Sequence, residues 1–140
     1  MATAGFGAYA LTLLRVIVGL TFLLHGLPKW GNLGGVAGFF GNVGIPAPSL
    51  MAPWVAFLET VGGLALIVGV ATRYAGVLLA IEMVVTTVVV KWPRVGFIAP
   101  LDRPGVGAEL DLLLLAGALV VATLGPGRLS VEGDLLKRQL

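Results

Sequence analysis

The stretch YAGVLLAIEMVVTTVVVKW, residues 74–92, decides the fold. In water the β-branched run from Met83 to Val90 favours a strand. In lipid an isolated strand leaves its backbone N–H and C=O groups unpaired, whereas a helix satisfies them within itself. A helix of this length rises roughly 28 Å, close to the thickness of a bilayer's hydrocarbon layer. The solvent therefore settles the reading, and composition names the solvent. Hydrophobic residues make up 58% of the 140 and charged residues 11%, where a soluble domain carries about 25% charged residues. The mean hydropathy is +1.03. So few polar groups cannot cover the surface of a chain this size in water, so the segment is a membrane helix.

Three further stretches follow the same logic: about 8–30, containing LTLLRVIVGLTFLLHGL; about 53–70, PWVAFLETVGGLALIVGV; and about 107–124, GAELDLLLLAGALVVATL. The expected fold is all-α, a single-domain integral membrane four-helix bundle over residues 1–140. No Lys or Arg precedes Arg15, which sits inside the first apolar run, and this departs from the pattern of a cleaved signal peptide. The link from Gly31 to Ala52 is rich in Gly. Leu33, Val36, Phe40 and Val43 recur in it at spacings of three and four, which fits either a short amphipathic helix in the interface or a plain Gly-rich loop. Helices two and three meet in a tight turn near Ala71–Arg73. A Pro-containing loop joins helices three and four. The polar tail from Gly125 onward is expected outside the membrane.

Four spans place both termini on one side. That side carries Arg73, Arg128, Lys137 and Arg138, and the other carries Lys29, Lys91, Arg94 and Arg103. Adding Arg15 tips the positive-inside count toward cytoplasmic termini. The absence of Cys removes disulfides, Cys-ligated zinc and iron–sulfur clusters from this chain, and a single His removes bis-His haem. The net charge of +2 is scattered rather than striped, so nucleic acid is not an expected partner. Membrane lipids are.

Charged groups within a span face the bundle interior, pair with one another or line a wet cavity. Trp30, Trp54 and Trp92 fall at helix ends opposite the termini and mark that interface. From these markers His25 and Glu59 lie roughly 7–8 Å inside, Glu82 roughly 15 Å and Arg15 roughly 22 Å. Glu109 and Asp111 open the last helix at the level of His25 and Glu59. Being two apart, they point in opposite directions, and Glu109 is read as the inward one. His25, Glu59 and Glu109 thus form a candidate proton-transfer cluster. Lys29, one turn from His25, joins it under an aromatic rim of Trp30 and Trp54. Arg15 has two readings, an interfacial anchor or an ion pair with Glu82. Bland readings stand beside the functional ones: Lys29 as an anchor, His25 as a satisfied interior histidine, Glu59 and Glu82 as structural ion-pair members. Gly19, Gly62, Gly63 and Gly117 read as points of close helix contact. A His beside carboxyls can exchange protons near neutral pH, and such a site suits a quinone entering sideways from lipid. There is no nucleophile–base pair and no phosphate-cradling loop.

These residues resemble the DoxX family of small four-helix membrane proteins. The likeness rests on LLRVIVGLTFLLHGLPKWG, GGVAGFFGNVGIPAP, FLETVGGLALIVGVATRYAG, GAELDLLLLAGAL and GPGRLSVE, in that order. It covers Arg15, His25, Lys29, Glu59, Arg73 and Glu109, whereas Glu82 and Asp111 match no family position. The resemblance implies a multi-pass protein of the bacterial cytoplasmic membrane. It also implies kinship with a subunit of a thiosulfate:quinone oxidoreductase and with proteins of oxidative stress and thiol handling. Without Cys, thiol or thiosulfate chemistry here needs another protein or a bound sulfur species. The expected function is redox-linked quinone binding alongside a partner oxidoreductase. The alternatives are a non-enzymatic anchor or assembly subunit, and a carrier of a small molecule or proton, with a homo-oligomer supplying any missing symmetry.

Overall fold

A computed structural model describes residues 5–137; Arg138, counted above, lies outside them. In the first helix, α1 (Phe6–Gly26), Leu13, Ile17, Leu20 and Leu24 face outward while Arg15, Val18, Phe22 and Gly26 are buried. Both sets recur at helical spacing, so one face packs and the other meets lipid. A 3₁₀ turn (Leu27–Gly31) continues the helix. The Gly-rich link then forms α2 (Leu33–Asn42), with the Asn32 side chain accepting a hydrogen bond from the Gly35 N–H at 3.2 Å. This N-cap starts the helix in spite of its glycines. Phe40 is its buried residue, and α2 lies against the third helix, so the amphipathic reading holds.

Helix α3 spans Pro48–Val68. It begins five residues before the expected start at Pro53. Proline suits a first helical position because its missing N–H is unpaired there in any case. Two prolines compete here, and Pro48 takes that position while Pro53 is carried inside the helix. Helix α4 runs Thr72–Arg94, α-helical to Val85 and π-helical over Thr86–Lys91, where the Trp92 N–H bonds the Thr87 carbonyl. The wider turns coincide with the β-branched run, whose side chains crowd an α-helical turn. Helix α5 is Ala108–Leu124. The carbonyls of Gly96 and Phe97 accept hydrogen bonds from its leading amides, Ala108 and Glu109, at 2.9 and 3.0 Å. Helices α1 with its 3₁₀ turn, α3 and α4 are long and apolar enough to cross a membrane. At 17 residues, α5 lies at the short end of the spanning range.

The helices pack as α1 on α3 and α4 on α5. Glycine sets the closeness of both contacts. A Cβ on Gly63 would stand 2.6 Å from the Gly19 carbonyl oxygen, and one on Gly76 would stand 2.8 Å from that of Ala118. Val18, Phe22, Leu66, Leu79, Met83 and Val121 fill the core between the pairs.

The tail packs onto the bundle. Residues 126–135 fold back across the end of the bundle and are held by polar contacts. Arg15, which is 1% exposed, donates to the Pro126 carbonyl and, at 2.9 Å, to that of Leu129. Thr12 Oγ1 donates to the Arg128 carbonyl at 2.6 Å. Glu132 is fully buried and accepts from Thr72 Oγ1 at 2.6 Å and from the Thr72 amide at 3.3 Å. Its own N–H donates to the Gly69 carbonyl at 3.0 Å. Gly69 is required twice, by its φ of +79° and by the approach of Ser130, whose Cβ would lie 2.5 Å from an added methyl. Arg15 thus turns toward the terminal end of the bundle and is not a partner of Glu82. A guanidinium can serve several carbonyls at once, and the tail brings two of them to it.

Candidate functional site

The polar groups gather toward the Trp-marked end, between α1, α3, α4 and α5. Helix α3 turns Glu59 inward, and Lys29, from the 3₁₀ turn, pairs with its Oε2. The Lys29 ammonium also donates to the His25 carbonyl at 2.9 Å. With three N–H groups on an ammonium, one remains uncommitted. Gly26 makes this crossing possible, since a methyl there would sit 2.7 Å from the Thr60 amide and 2.8 Å from Glu59 Cβ. Trp30 anchors the same crossing by donating from Nε1 to Thr60 Oγ1 at 3.0 Å.

Glu82, on α4, is 7% exposed, and its buried carboxyl lies against that of Glu59, a contact that becomes a hydrogen bond when the two share a proton. The charged groups it faces are Glu59, Lys29 and Asp111. Asp111 on α5 is 6% exposed, and its Oδ2 is buried without a partner.

Three cavities meet at these residues. An interior cavity of about 170 Å³ among the four long helices touches His25, Glu59, Lys91 and Asp111. A cleft of about 340 Å³ beneath α2 touches Lys29, Asn32, Phe40, Glu59 and Glu82. A groove of about 180 Å³ is walled by Phe40, Met51, Trp54, Leu58 and Ile81, with Glu82 in its lining. Its rim residues Trp54, Leu78, Ile81 and Val85 lie on the exposed apolar surface. Thr86, where α4 turns π-helical, borders all three.

The expected cluster is therefore present in altered form. Glu59 meets Lys29, which the spacing places one turn above the His25–Glu59 layer. His25 is largely exposed and reaches only the edge of the interior cavity. Its Nδ1 lies 2.8 Å from the Thr21 carbonyl oxygen. A carbonyl only accepts, so Nδ1 carries a hydrogen, and in the neutral imidazole Nε2 is the accepting nitrogen. Glu109 does not face the cavity; Asp111 does. The choice between two residues on opposite sides of one helix depends on how α5 is rotated. That rotation is set by the Gly96 and Phe97 carbonyls at its start, which no periodicity reveals. Trp30 braces α1 against α3, while Trp54 walls the groove and stacks on Phe57 at 6.1 Å. Glu82 belongs to the site rather than to an ion pair with Arg15. Its depth, about one and a half turns further in than Glu59 by the Trp markers, is the sequence signal for it.

Chemically the site offers a fixed cation–carboxylate pair, two further buried acids, and apolar walls leading to the membrane face. It can bind a polar ring and exchange protons with it.

Comparison with known proteins agrees with this architecture. The DoxX family model matches residues 10–92. A protein of Bacillus subtilis named putative oxidoreductase CatD is 37% identical over 126 residues, covering 89% of this chain and 86% of its own length. An uncharacterized membrane protein of Mycobacterium tuberculosis is 35% identical over 133 residues, covering 89% of this chain and 80% of its own. No solved structure matches the chain. The family match takes in α1 to α4 with Lys29, Glu59 and Glu82, and the longer alignments extend the likeness over most of the molecule: the chain is a membrane protein of the DoxX family.

Proposed function

We propose that this protein binds a quinone in the cleft beneath α2 and works beside a partner oxidoreductase in the bacterial cytoplasmic membrane. The observation that carries the reading is the junction of two unlike spaces at Glu82. One is a cleft with the Lys29–Glu59 pair, and the other is an apolar groove at the lipid-facing surface. A quinone has the same division. Its ring carbonyls need donors and its isoprenoid tail needs an oily exit. The uncommitted N–H of Lys29 donates to one carbonyl, Glu59 holds that ammonium in place, and Trp54 and Phe40 wall the path of the tail. His25, with Nε2 as the acceptor, serves the interior side of the site. The name of the Bacillus relative, a putative oxidoreductase, fits a redox role for the family. The lack of Cys leaves the electron donor to the partner.

The test is quinone extraction from protein purified out of native membrane, together with thermal unfolding in detergent with and without a short-chain quinone. Bound quinone and a rise in melting temperature are expected. Lys29→Met should weaken the apparent affinity at least about tenfold, the value of one charge-assisted hydrogen bond. No quinone in the extract and no thermal response to any quinone would leave the anchoring role instead. That role predicts a co-purifying partner and indifference to Lys29→Met.

A further inference from the structure

Asp111 has no part in holding the proposed ligand, yet it is buried, has one oxygen without a partner, and lines the interior cavity. That cavity also touches Glu59, His25 and Lys91. At about 170 Å³ it has room for several water molecules and the polar groups to hold them. Glu59 reaches onward into the cleft beneath α2, where it meets Glu82. Glu82 alone of the three acids touches the apolar groove at the lipid-facing surface. The acids are thus ordered in space, Asp111 to Glu59 to Glu82, by the cavities that each pair shares.

We propose that Asp111, Glu59 and Glu82 form a proton relay running from the interior cavity to the lipid-facing groove, with Glu82 as its terminal group. Three facts about the molecule support it. First, the groups facing Glu82 are two further acids and one lysine. Three carboxyls beside one ammonium in a low-dielectric layer outnumber the cation that could balance them, so a proton shared among them is favoured over three separate charges. Second, the Glu82 carboxyl lies against that of Glu59 and takes no bond from an amide, hydroxyl or ammonium. Two carboxyls bond to each other only by sharing a proton, which is the contact a relay step needs. Third, each of the four long helices contributes a titratable group to the path or to its edge, while α2 contributes none: His25 and Lys29 from α1 and its 3₁₀ turn, Glu59 from α3, Lys91 from α4 and Asp111 from α5. Thr86, bordering all three cavities, places a hydroxyl beside the path, although its hydrogen is engaged by the Met83 carbonyl at 3.2 Å.

Each step is a proton transfer alone. A carboxylate oxygen accepts a proton from water or from the preceding acid, forming one O–H bond as another breaks, and no electron moves. The relay takes its destination, a ligand carbonyl, from the quinone reading, but its existence does not depend on that reading.

The experiment uses the full chain in detergent without quinone. Infrared spectra at neutral pH should contain the carbonyl band of a protonated carboxylic acid. Glu82→Gln should remove it and Glu82→Asp should move it, the second variant covering any failure of the first to fold. On transfer to D₂O the band should shift promptly in the wild type. Asp111→Asn should slow that shift about a hundredfold, the low end of what a positioned acid contributes to proton transfer. Persistence of the band in both Glu82 variants, or equal exchange rates with and without Asp111, overturns the relay. Loss of quinone binding with the band and its exchange intact would remove the quinone reading and leave the relay supported.

Discussion

Arg15→Ala is expected to be among the most damaging single changes to this protein, costing about 3–5 kcal/mol, the usual penalty for removing one side of a buried charged network. The guanidinium is 1% exposed and holds the tail through the Pro126 and Leu129 carbonyls. Glu132 and Asp134 lie near enough to interact with its charge. Without it, two carbonyls lose their donor and two nearby acids lose their counter-charge at the closed end of the bundle. The melting temperature in detergent should fall sharply, and limited proteolysis should cut within residues 126–135 where the wild type resists. Arg15→Lys should recover only part of the loss, since one ammonium on a flexible stem does not reproduce a planar fork. A melting temperature unchanged by Arg15→Ala would show that the tail is held by Glu132 and Thr72 without the arginine.

The second large effect is expected at the glycine contact of α1 with α3. A Cβ at Gly63 would meet the Gly19 carbonyl oxygen at 2.6 Å and the Leu23 amide at 2.7 Å. Both are backbone atoms and cannot step aside. Gly63→Val should therefore push the helices apart at a cost of about 3 kcal/mol, the upper part of the overpacking range. Because Glu59 lies one turn away on the same helix and Lys29 comes from the far end of α1, the ion pair should loosen as well. Gly38→Ala is the control. Nothing lies within 4 Å of a methyl there, and alanine gains helix propensity of roughly 0.5–1 kcal/mol over glycine. Denaturation curves for the two variants should move in opposite directions. Equal behaviour of both would mean that the α1–α3 contact is not set by these glycines.

Much of the bundle was legible in the sequence because lipid leaves few choices. Each apolar run had to be a helix, and the chain order of the runs fixed which ends lie together. The Trp markers put His25 and Glu59 at one level with Lys29 a turn above, but the pairing of Lys29 with Glu59 depends on the close crossing at Gly26. What escaped was set by contacts distant in sequence. The tail looks polar and therefore external, but Glu132 is drawn inside by the Thr72 hydroxyl and amide at the α3–α4 turn. Arg15 was matched with an acid when its true partners are carbonyls, which no side-chain pattern records. Asp111 and Glu109 were distinguishable only by helix rotation. The start of α3 was misplaced because Pro48 and Pro53 each fit a first turn, and sequence alone does not rank them. The π-helical turns at Thr86–Lys91 lie in the very run whose β-branching made it ambiguous at the outset.

The glycine contacts have a mechanical consequence. Where backbones touch, as in α1 with α3 and in α4 with α5, there is no side-chain cushion to compress, and each pair moves as a stiff plank. Between the planks the contact is made by side chains such as Leu79 against Gly62 and Val18 against Gly117, interrupted by the three hollows. Compliance is therefore concentrated along that join, and breathing of the two planks changes the bore around Glu82 without disturbing either pair.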